Sequence, residues 1–346
     1  VRHIVKRVYP LTREKTMARS FGKSRSNKVQ NTDLFTAAAN EHYRKHIKTK
    51  SKQALDFIDK NVNWTELLAP IYELLDQQSE RKSESGRKAF SLEVIVKCML
   101  LQHIYGLSDP RLEEEIADRR SFQIFLGLNS GDSIPDETTI CKYRGLFSKV
   151  KIDRMLFNSF KAQLKKKNII LSKGTIVDAT IKPAQATPNS KRDDDADHTK
   201  KRGKSYYGYK GHIAIDEESE VIKEVEFTKA SVHDSTMFDS VVDYTEEAVF
   251  ADKGYANEER RQKLEDRNIF DGILQKGYRN KPLTKSAIKL NKILSGIRNR
   301  VERPFAYMKR ILGYERCRYY DIERNRFEFV LKAIIYNMRR MITLTA

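Results

Sequence analysis

The sequence has few of the features that mark secreted, disulfide-bonded or membrane-spanning proteins. It contains three cysteines in 346 residues, Cys98, Cys141 and Cys317, and no two of them have the spacing of zinc ligands. The best apolar run, residues 329–338, is too short to span a bilayer and contains Lys332. The basic N-terminus lacks the apolar stretch of a signal peptide. We therefore expect a cytoplasmic protein without disulfides or a membrane anchor.

Acidic residues are also scarce relative to basic ones. The chain has 66 Lys and Arg against 47 Asp and Glu, which gives a formal net charge of +19. This imbalance exceeds what solubility requires and indicates a polyanionic partner, although a charged membrane surface would also attract such a chain. Hydrophobic residues make up 39% of the sequence, enough to form real cores.

The pattern of apolar residues divides the chain into three parts. Residues 1–35 are basic and lack periodicity, and we interpret them as a mobile arm in which Met17 is a candidate natural start. Residues 36–168 show helical periodicity and predict an all-α domain. Residues 169–346 change to strands and then to long basic helices. Three strands, a helix, then strand, helix, strand and helix predict a ribonuclease-H-like mixed α/β sheet flanked by helices.

One helix of the all-α domain carries a candidate DNA-binding surface. Asp136 is predicted to cap its N-terminus, in the run IPDETT of residues 134–139. The helix is expected to turn Tyr143 inward and to show Lys142 and Arg144 outward. Short helices with a basic outer face are compatible with helix-turn-helix docking on DNA. A dimerisation or scaffold bundle has the same pattern, so both interpretations stay open.

Two acidic residues interrupt or end apolar strands of the last domain. Asp178 lies inside IVDATI, residues 176–181, which predicts a buried central strand. Asp252 ends the strand of residues 248–252, at the edge where open α/β sheets bind their ligands. A buried carboxylate is costly unless it is paired or binds a metal. Either residue alone is as often structural as functional, but the two together indicate a functional site.

A third acidic residue, Glu302, lies between two basic ones. Arg298 precedes it by four residues and Lys309 follows it by seven, so the three share one face of a helix. Pro304 has no amide hydrogen and is expected to kink this helix just past Glu302. A salt-bridged surface stripe has the same spacing, so the pattern alone does not establish a site.

These motifs together resemble the DDE transposases of bacterial insertion sequences, in particular the insertion-sequence-five group. The resemblance rests on VDAT around Asp178, ADKGY around Asp252 and RNRVERPFAYMK around Glu302, and it extends to the helical residues 91–147. It departs at Ser295, where relatives often have Tyr. The resemblance implies that the three acids are catalytic and hold Mg²⁺. Mn²⁺ is expected to substitute, since all-oxygen ligands suit both ions.

The resemblance also implies a function and its partners. A transposase of this kind binds the terminal inverted repeats of its insertion sequence, cleaves the double-stranded DNA ends and joins them to target DNA, normally as at least a homodimer. Such a protein is expected at the nucleoid. Two other interpretations stay open: a DNA-binding relative without catalysis, and a ribonuclease-H-like nuclease that cuts branched DNA.

Several basic residues are candidates for DNA contacts in this interpretation. Arg298 and Lys309 are placed to hold phosphates of the transposon end. The other candidates are Lys253, Lys142, Arg144, Lys201 and Arg202. His233 and Asp234 also match a family pattern, either near the metal site or, for Asp234, as a helix cap.

The run DDDADH of residues 193–198 looks like a metal-binding cluster. It lies in a polar stretch rich in Lys and Arg, with no apolar frame to fix its geometry. We therefore interpret residues 189–205 as a solvated loop between the first two strands, with basic residues that contact DNA.

Overall fold

The computed structural model describes residues 34–78, 89–129, 131–171, 173–185, 193–201, 203–278 and 282–345. The chain divides into two compact units, residues 1–160 and 161–346. Most of the predicted basic arm, residues 1–33, lies outside the described ranges, and so does the candidate DNA contact Arg202. Within these ranges no helix combines the length and the apolar character needed to cross a membrane.

The first unit is helical, as predicted. Side chains cap several of its helices: Ser91 accepts a hydrogen bond from the amide of Val94, and Asp136 accepts one of 2.7 Å from Thr139. Gly106, with φ of 66°, ends one helix in the left-handed conformation that glycine adopts without strain. The helices are α1 (Leu34–His46), α2 (Lys50–Asn61), α3 (Trp64–Gln78), α4 (Leu92–Tyr105), α5 (Asp109–Asp118), α6 (Arg120–Leu126), α7 (Glu137–Lys149) and α8 (Ile152–Lys166), the last of which extends into the second unit.

Helix α7 turns Tyr143 inward and leaves Lys142 exposed, as predicted. The prediction that Arg144 faces outward is wrong, because this residue is only 5% exposed. Its guanidinium donates to Asp109 Oδ1 at 2.7 Å and to Gln102 Oε1 at 2.9 Å. A buried charge needs such a partner, and Asp109, on the neighbouring helix α5, supplies it.

The second unit contains a six-stranded mixed sheet, which confirms the predicted fold class. Strand β3 is antiparallel to β1, β2 and β4, whereas β5 is parallel to both β1 and β6. Without β2, the order across the sheet is β4, β3, β1, β5 and β6, the arrangement expected of a ribonuclease-H-like sheet. The strands are β1 (Gly174–Pro183), β2 (Asp197–Lys201), β3 (Lys204–Asp216), β4 (Ile222–Lys229), β5 (Ala248–Ala251) and β6 (Phe270–Ile273).

The prediction of a solvated loop over residues 189–205 is wrong for the described part of that segment. Residues Asp197–Lys201 form β2, a strand that the sequence pattern does not predict. Asp193 is 1% exposed and accepts a hydrogen bond of 2.8 Å from the Tyr209 hydroxyl. Asp195 accepts one of 3.2 Å from the amide of Ile322. These carboxylates are structural, because partners distant in the sequence satisfy them.

The helices of the second unit flank the sheet and carry the third acidic residue. The prediction that Pro304 kinks a continuous helix past Glu302 is wrong, since the break precedes Glu302. A 3₁₀ turn, Asn299–Val301, ends one helix, and Pro304 lies in the first turn of the next, where its missing amide hydrogen costs little. The α-helices are α9 (Phe238–Val241), α10 (Glu258–Glu265), α11 (Lys285–Arg298), α12 (Glu302–Arg310) and α13 (Ile322–Thr345).

Helix α13 packs closely on the sheet. A methyl group on Gly211 of β3 would meet the ring of Phe329 at 2.6 Å, so only glycine permits this approach. Glu328, on the same helix, is buried between two lysines and accepts hydrogen bonds of 2.7 Å from both Lys182 and Lys332. The Lys182 ammonium also lies 3.6 Å from the centroid of the Tyr314 ring. This buried network joins the helix to strand β1.

Removal of the central acid from this network should destabilise the second unit strongly. Glu328→Ala leaves two buried ammonium groups without their carboxylate, a change that typically costs about 3–5 kcal/mol. Arg324→Ala, at an exposed position of the same helix, is the matched control and should change stability by no more than about 0.5 kcal/mol. Urea unfolding of the two variants measures the difference, and equal small losses of stability would contradict the role given to this network.

Candidate active site

The parallel pairing of β1 with β5 places two of the predicted acids side by side. Val177 is aligned with Ala251, so Asp178 and Asp252 follow at neighbouring positions. Val177 and Ala251 both belong to the core cluster on one face of the sheet. Because side chains alternate along a strand, Asp178 and Asp252 lie on the opposite face. They are close enough that the negative charge of Asp252 raises the pKa of Asp178.

Arg298 connects the third acid to the first. Its Nη1 lies 3.0 Å from Asp178 Oδ2, and its Nη2 lies 3.7 Å from Glu302 Oε1. The Arg298 side chain is only 17% exposed, whereas that of Glu302 is 66% exposed. Arg298 ends α11 and Glu302 begins α12, so the 3₁₀ turn between these helices keeps the two side chains close together. A single guanidinium therefore bridges Asp178 and Glu302.

The environment of Asp178 opposes its ionisation. Partial burial raises the pKa of its carboxyl above the usual value. A hydrogen bond of 2.8 Å from the amide of Ala179 and the positive charges of Arg298 and Lys201 lower this pKa and offset part of the effect. The ionised carboxylate therefore remains only partly compensated, and it attracts further positive charge.

Two of the predicted DNA-binding lysines lie around the same carboxylate. The charge of Lys201 acts on the pKa of Asp178, and the charge of Asp178 acts on that of Lys309. Burial and then the nearby Lys201 lower the pKa of Lys309. Lys253, directly after Asp252, is exposed. Lys201 and Lys309 thus lie near enough to Asp178 for their charges to interact with it.

His233 and Asp234 begin a 3₁₀ turn near this site. The cap is His233 rather than Asp234, since His233 Nδ1 accepts a hydrogen bond of 3.2 Å from the amide of Ser235. Asp234 instead forms an ion pair of 2.9 Å with Lys210. A small cavity of about 110 Å³ opens here, with Thr180 and Lys201 among the other residues that line it. The structure therefore places Asp234 at a cavity that begins next to Asp178.

Tyr255 is a residue of this region that the sequence interpretation does not single out. It is 2% exposed, and its hydroxyl has no hydrogen-bond partner among the described residues. Burial, together with the negative charges of Asp178, Asp234 and Asp252, raises the pKa of this phenol. The motif ADKGY contains Tyr255, but no local pattern indicates that the charges of three carboxylates act on its phenol.

The donor set fits a divalent metal ion in part. Asp178 and Asp252 offer carboxylate oxygens on one face, the ligands that Mg²⁺ and Mn²⁺ prefer. In the described ranges no group of three or more His, Cys, Asp or Glu side chains is already gathered as a metal site. Glu302 is linked to Asp178 through the guanidinium of Arg298. Asp178 and Asp252 therefore fit a hard cation, and Glu302 lies on the far side of Arg298.

Replacement of Asp178 by its neutral isostere should stabilise the fold. Because the folded-state pKa of Asp178 is raised, its ionisation costs stability, and this cost builds up as the pH rises from the ordinary pKa of an aspartate to the raised one. We therefore expect Asp178→Asn to raise Tm at pH 7. The gain should vanish at low pH, where both side chains are neutral.

Thermal unfolding across this pH range is the measurement, with Asp243→Asn as the control at an exposed position. A variant at Asp178 that is less stable than the wild type at pH 7 would show that the carboxylate is well compensated.

Comparison with known proteins finds transposase family matches over two segments of the chain. Residues 171–338 match the transposase DDE domain, and residues 42–146 match a second family described as a transposase domain (DUF772). Among solved structures, the cryo-EM structure of a piggyBac transposase synaptic complex with hairpin DNA matches with a TM-score of 0.39 and 9% identity, over 91% of this chain and 77% of that chain. The transposase DDE family generally uses divalent metal ions. Segments of both the helical and the sheet-containing unit thus match transposase families.

Proposed function

We propose that this protein is a DNA transposase of the insertion-sequence-five group. In this proposal it binds the terminal inverted repeats of its own element, cleaves the DNA ends and joins them to target DNA. The observation that carries the proposal is the placement of Asp178 beside Asp252 on one face of the sheet, with Glu302 linked through Arg298. The transposase DDE match over residues 171–338 supports it independently.

Asp178, Asp252 and Glu302 are proposed to hold divalent metal ions, Mg²⁺ or Mn²⁺. When bound, two such ions supply an activated water or 3′-hydroxyl and stabilise the leaving 3′-oxygen of the phosphodiester. The charge of Asp178 is only partly compensated by Arg298, Lys201 and the Ala179 amide, and this favours a further cation at this place. An all-oxygen donor set also suits these ions better than zinc.

The basic residues around the acids are proposed to hold the DNA backbone. The guanidinium of Arg298 has forked donors that suit a phosphate as well as a carboxylate. Arg298 could therefore leave the carboxylates of Asp178 and Glu302 and bind a phosphate of the transposon end instead. Lys201 and Lys309 interact electrostatically with Asp178 and would hold phosphates on either side of the scissile bond.

The helical domain, proposed as residues 36–168, is assigned to DNA docking or dimerisation. The exposed Lys142 is the candidate contact on helix α7, whereas Arg144 is already engaged with Asp109. Two transposon ends must be held together during synapsis, so we propose that at least two copies of the chain act together. A match of residues 42–146 to a transposase domain supports a role for this part in the same process.

Neutral isosteres of the three acids should abolish cleavage and leave DNA binding intact. We expect Asp178→Asn, Asp252→Asn and Glu302→Gln each to reduce cleavage of a duplex with the element's own ends at least about 10³-fold, since each removes an oxygen ligand of the proposed metal site. Mapping of nicks in Mg²⁺ or in EDTA measures the loss, and an electrophoretic shift measures binding. Asp243→Asn is the exposed control. Wild-type cleavage by any of the three active-site variants would refute the assignment of that residue.

Binding to DNA should depend steeply on salt, because lysines and arginines that neutralise phosphates release counterions. Removal of one lysine that neutralises a phosphate should make the slope of log K against log salt shallower by about 0.9. We expect this reduction for Lys201→Ala and for Lys309→Ala. Lys173→Ala is the control and should leave the slope unchanged, because Lys173 lies before the start of β1 and pairs with Glu218. An affinity that stays constant between about 50 and 200 mM salt would contradict the proposed binding of the DNA backbone.

A further inference from the structure

The turn between β3 and β4, residues 217–220, contacts the basic residues that flank Glu302. We call it the acidic turn. Arg300, two residues before Glu302, donates from Nη1 to Glu217 Oε1 at 2.5 Å and to the Glu217 carbonyl at 2.8 Å. The 3₁₀ turn that carries Arg300 also buries Val301 completely. The chain just before Glu302 is therefore attached at one side to Glu217 and at the other to the core.

A second ion pair holds the chain just after Glu302. Arg303 Nη1 pairs with Glu220 of the acidic turn. The Glu220 side chain is only 6% exposed, and Arg340 of helix α13 also approaches it, at 3.5 Å. Arg340 donates in addition to the carbonyl of Ser219 at 2.8 Å. Arg300 and Arg303, on either side of the third acid in the sequence, are thus both connected to one short turn.

The acidic turn is itself attached to the strand that carries Asp178. The amide of Glu217 donates to the carbonyl of Gly174, the first residue of β1, at 2.9 Å. A methyl group on Gly174 would lie 2.8 Å from Glu217 Cβ, so the turn and the strand are in close contact. Asp216 Oδ1 accepts hydrogen bonds from the Ser219 amide at 2.8 Å and hydroxyl at 2.9 Å, which closes the turn.

We propose that Glu217 and Glu220 are positioning residues for Glu302. Through Arg300 and Arg303 they fix the backbone that carries Glu302 relative to β1, and so relative to Asp178. The inference rests on the proposed function, because it assigns Glu302 to the same metal site. Neither glutamate touches the reacting atoms, and each acts through an arginine next to the third acid.

The solvent exposure of the two arginines makes it possible to distinguish a role in positioning Glu302 from a role in stabilising the fold. The side chains of Arg300 and Arg303 are 39% and 67% exposed. The partners Glu217 and Glu220 are 22% and 6% exposed, but solvent screens the exposed guanidinium groups, so each pair should contribute less to the free energy of folding than a fully buried pair. Metal affinity, in contrast, depends on the placement of each ligand within fractions of an ångström, and outer residues that orient ligands typically change it about 10- to 100-fold. Loss of the pairs should therefore weaken metal binding more than it weakens the fold.

The experiment uses the full chain with Mn²⁺ as the probe. Electron paramagnetic resonance of free Mn²⁺ measures the affinity of the protein for Mn²⁺ without any cleavage. The Mg²⁺ concentration that gives half-maximal cleavage measures the metal requirement of the protein when DNA is bound. We expect Glu217→Ala to weaken Mn²⁺ binding and to raise the Mg²⁺ requirement about 10-fold. Glu217→Gln keeps an oxygen that accepts from Arg300 and should restore most of the affinity. Thermal unfolding should differ little among these proteins.

Glu218→Ala is the matched control, since Glu218 lies in the same turn and pairs only loosely, at 3.4 Å, with the exposed Lys173. It should bind Mn²⁺ as the wild type does. If Glu217→Ala does not fold, Arg303→Ala tests the other pair and should show the same reduction in affinity. Wild-type Mn²⁺ affinity in Glu217→Ala or Arg303→Ala would overturn the inference, and so would an equal reduction in Glu218→Ala.

Three further outcomes would also overturn the inference. Tighter DNA binding by Glu217→Ala with unchanged Mn²⁺ affinity would show that Glu217 neutralises Arg300 against DNA instead. If Glu302→Gln abolishes cleavage and Mn²⁺ binding while Glu217→Ala keeps both, only the positioning inference fails. If the wild type itself neither binds Mn²⁺ nor cleaves in a metal-dependent way, the proposed function fails with it.

Discussion

The second unit depends on how negative charge is compensated at one face of its sheet. Parallel pairing of β1 with β5 brings Asp178 and Asp252 to neighbouring positions, and two carboxylates so placed repel each other. Arg298 offsets this charge and at the same time draws Glu302 toward Asp178. The positive charges of Arg298 and Lys201 both act on Asp178 and meet part of this requirement for positive charge. In a complex with metal and DNA, a divalent cation would neutralise the carboxylates, and a DNA phosphate would pair with Arg298.

Much of this arrangement can be predicted from the sequence, because it rests on local patterns. Apolar, β-branched runs around Asp178 and before Asp252 indicate strands that end or break at a carboxylate, and the order of strands and helices indicates the mixed sheet. Asp136 is predicted as a helix cap from its immediate neighbours, and its carboxylate accepts from the Thr139 amide. The spacing of Arg298 and Glu302 indicates one surface, and an ion pair of 3.7 Å joins them.

The remaining features depend on partners far away in the sequence. Arg144 is buried because Asp109 lies opposite it, and Asp193 is buried because Tyr209 donates to it. The acidic turn looks like a simple connection between strands, since nothing in its composition shows that Arg300 and Arg303 lie beside it. Periodicity indicates which face of an element is apolar, but it does not indicate which charge neutralises which. The wrong predictions therefore concern charged residues, where the tertiary partner decides between burial and exposure.

The central claim is that the carboxylates of Asp178, Asp252 and Glu302 act at one metal site. Anomalous diffraction from crystals of the full chain with its DNA ends, grown in Mn²⁺, tests it most directly. We predict manganese in contact with Asp178 and Asp252, Glu302 drawn to the same ion, and Arg298 moved onto a phosphate. Manganese bound at another place, with Arg298 still between Asp178 and Glu302 in the DNA complex, would contradict this claim.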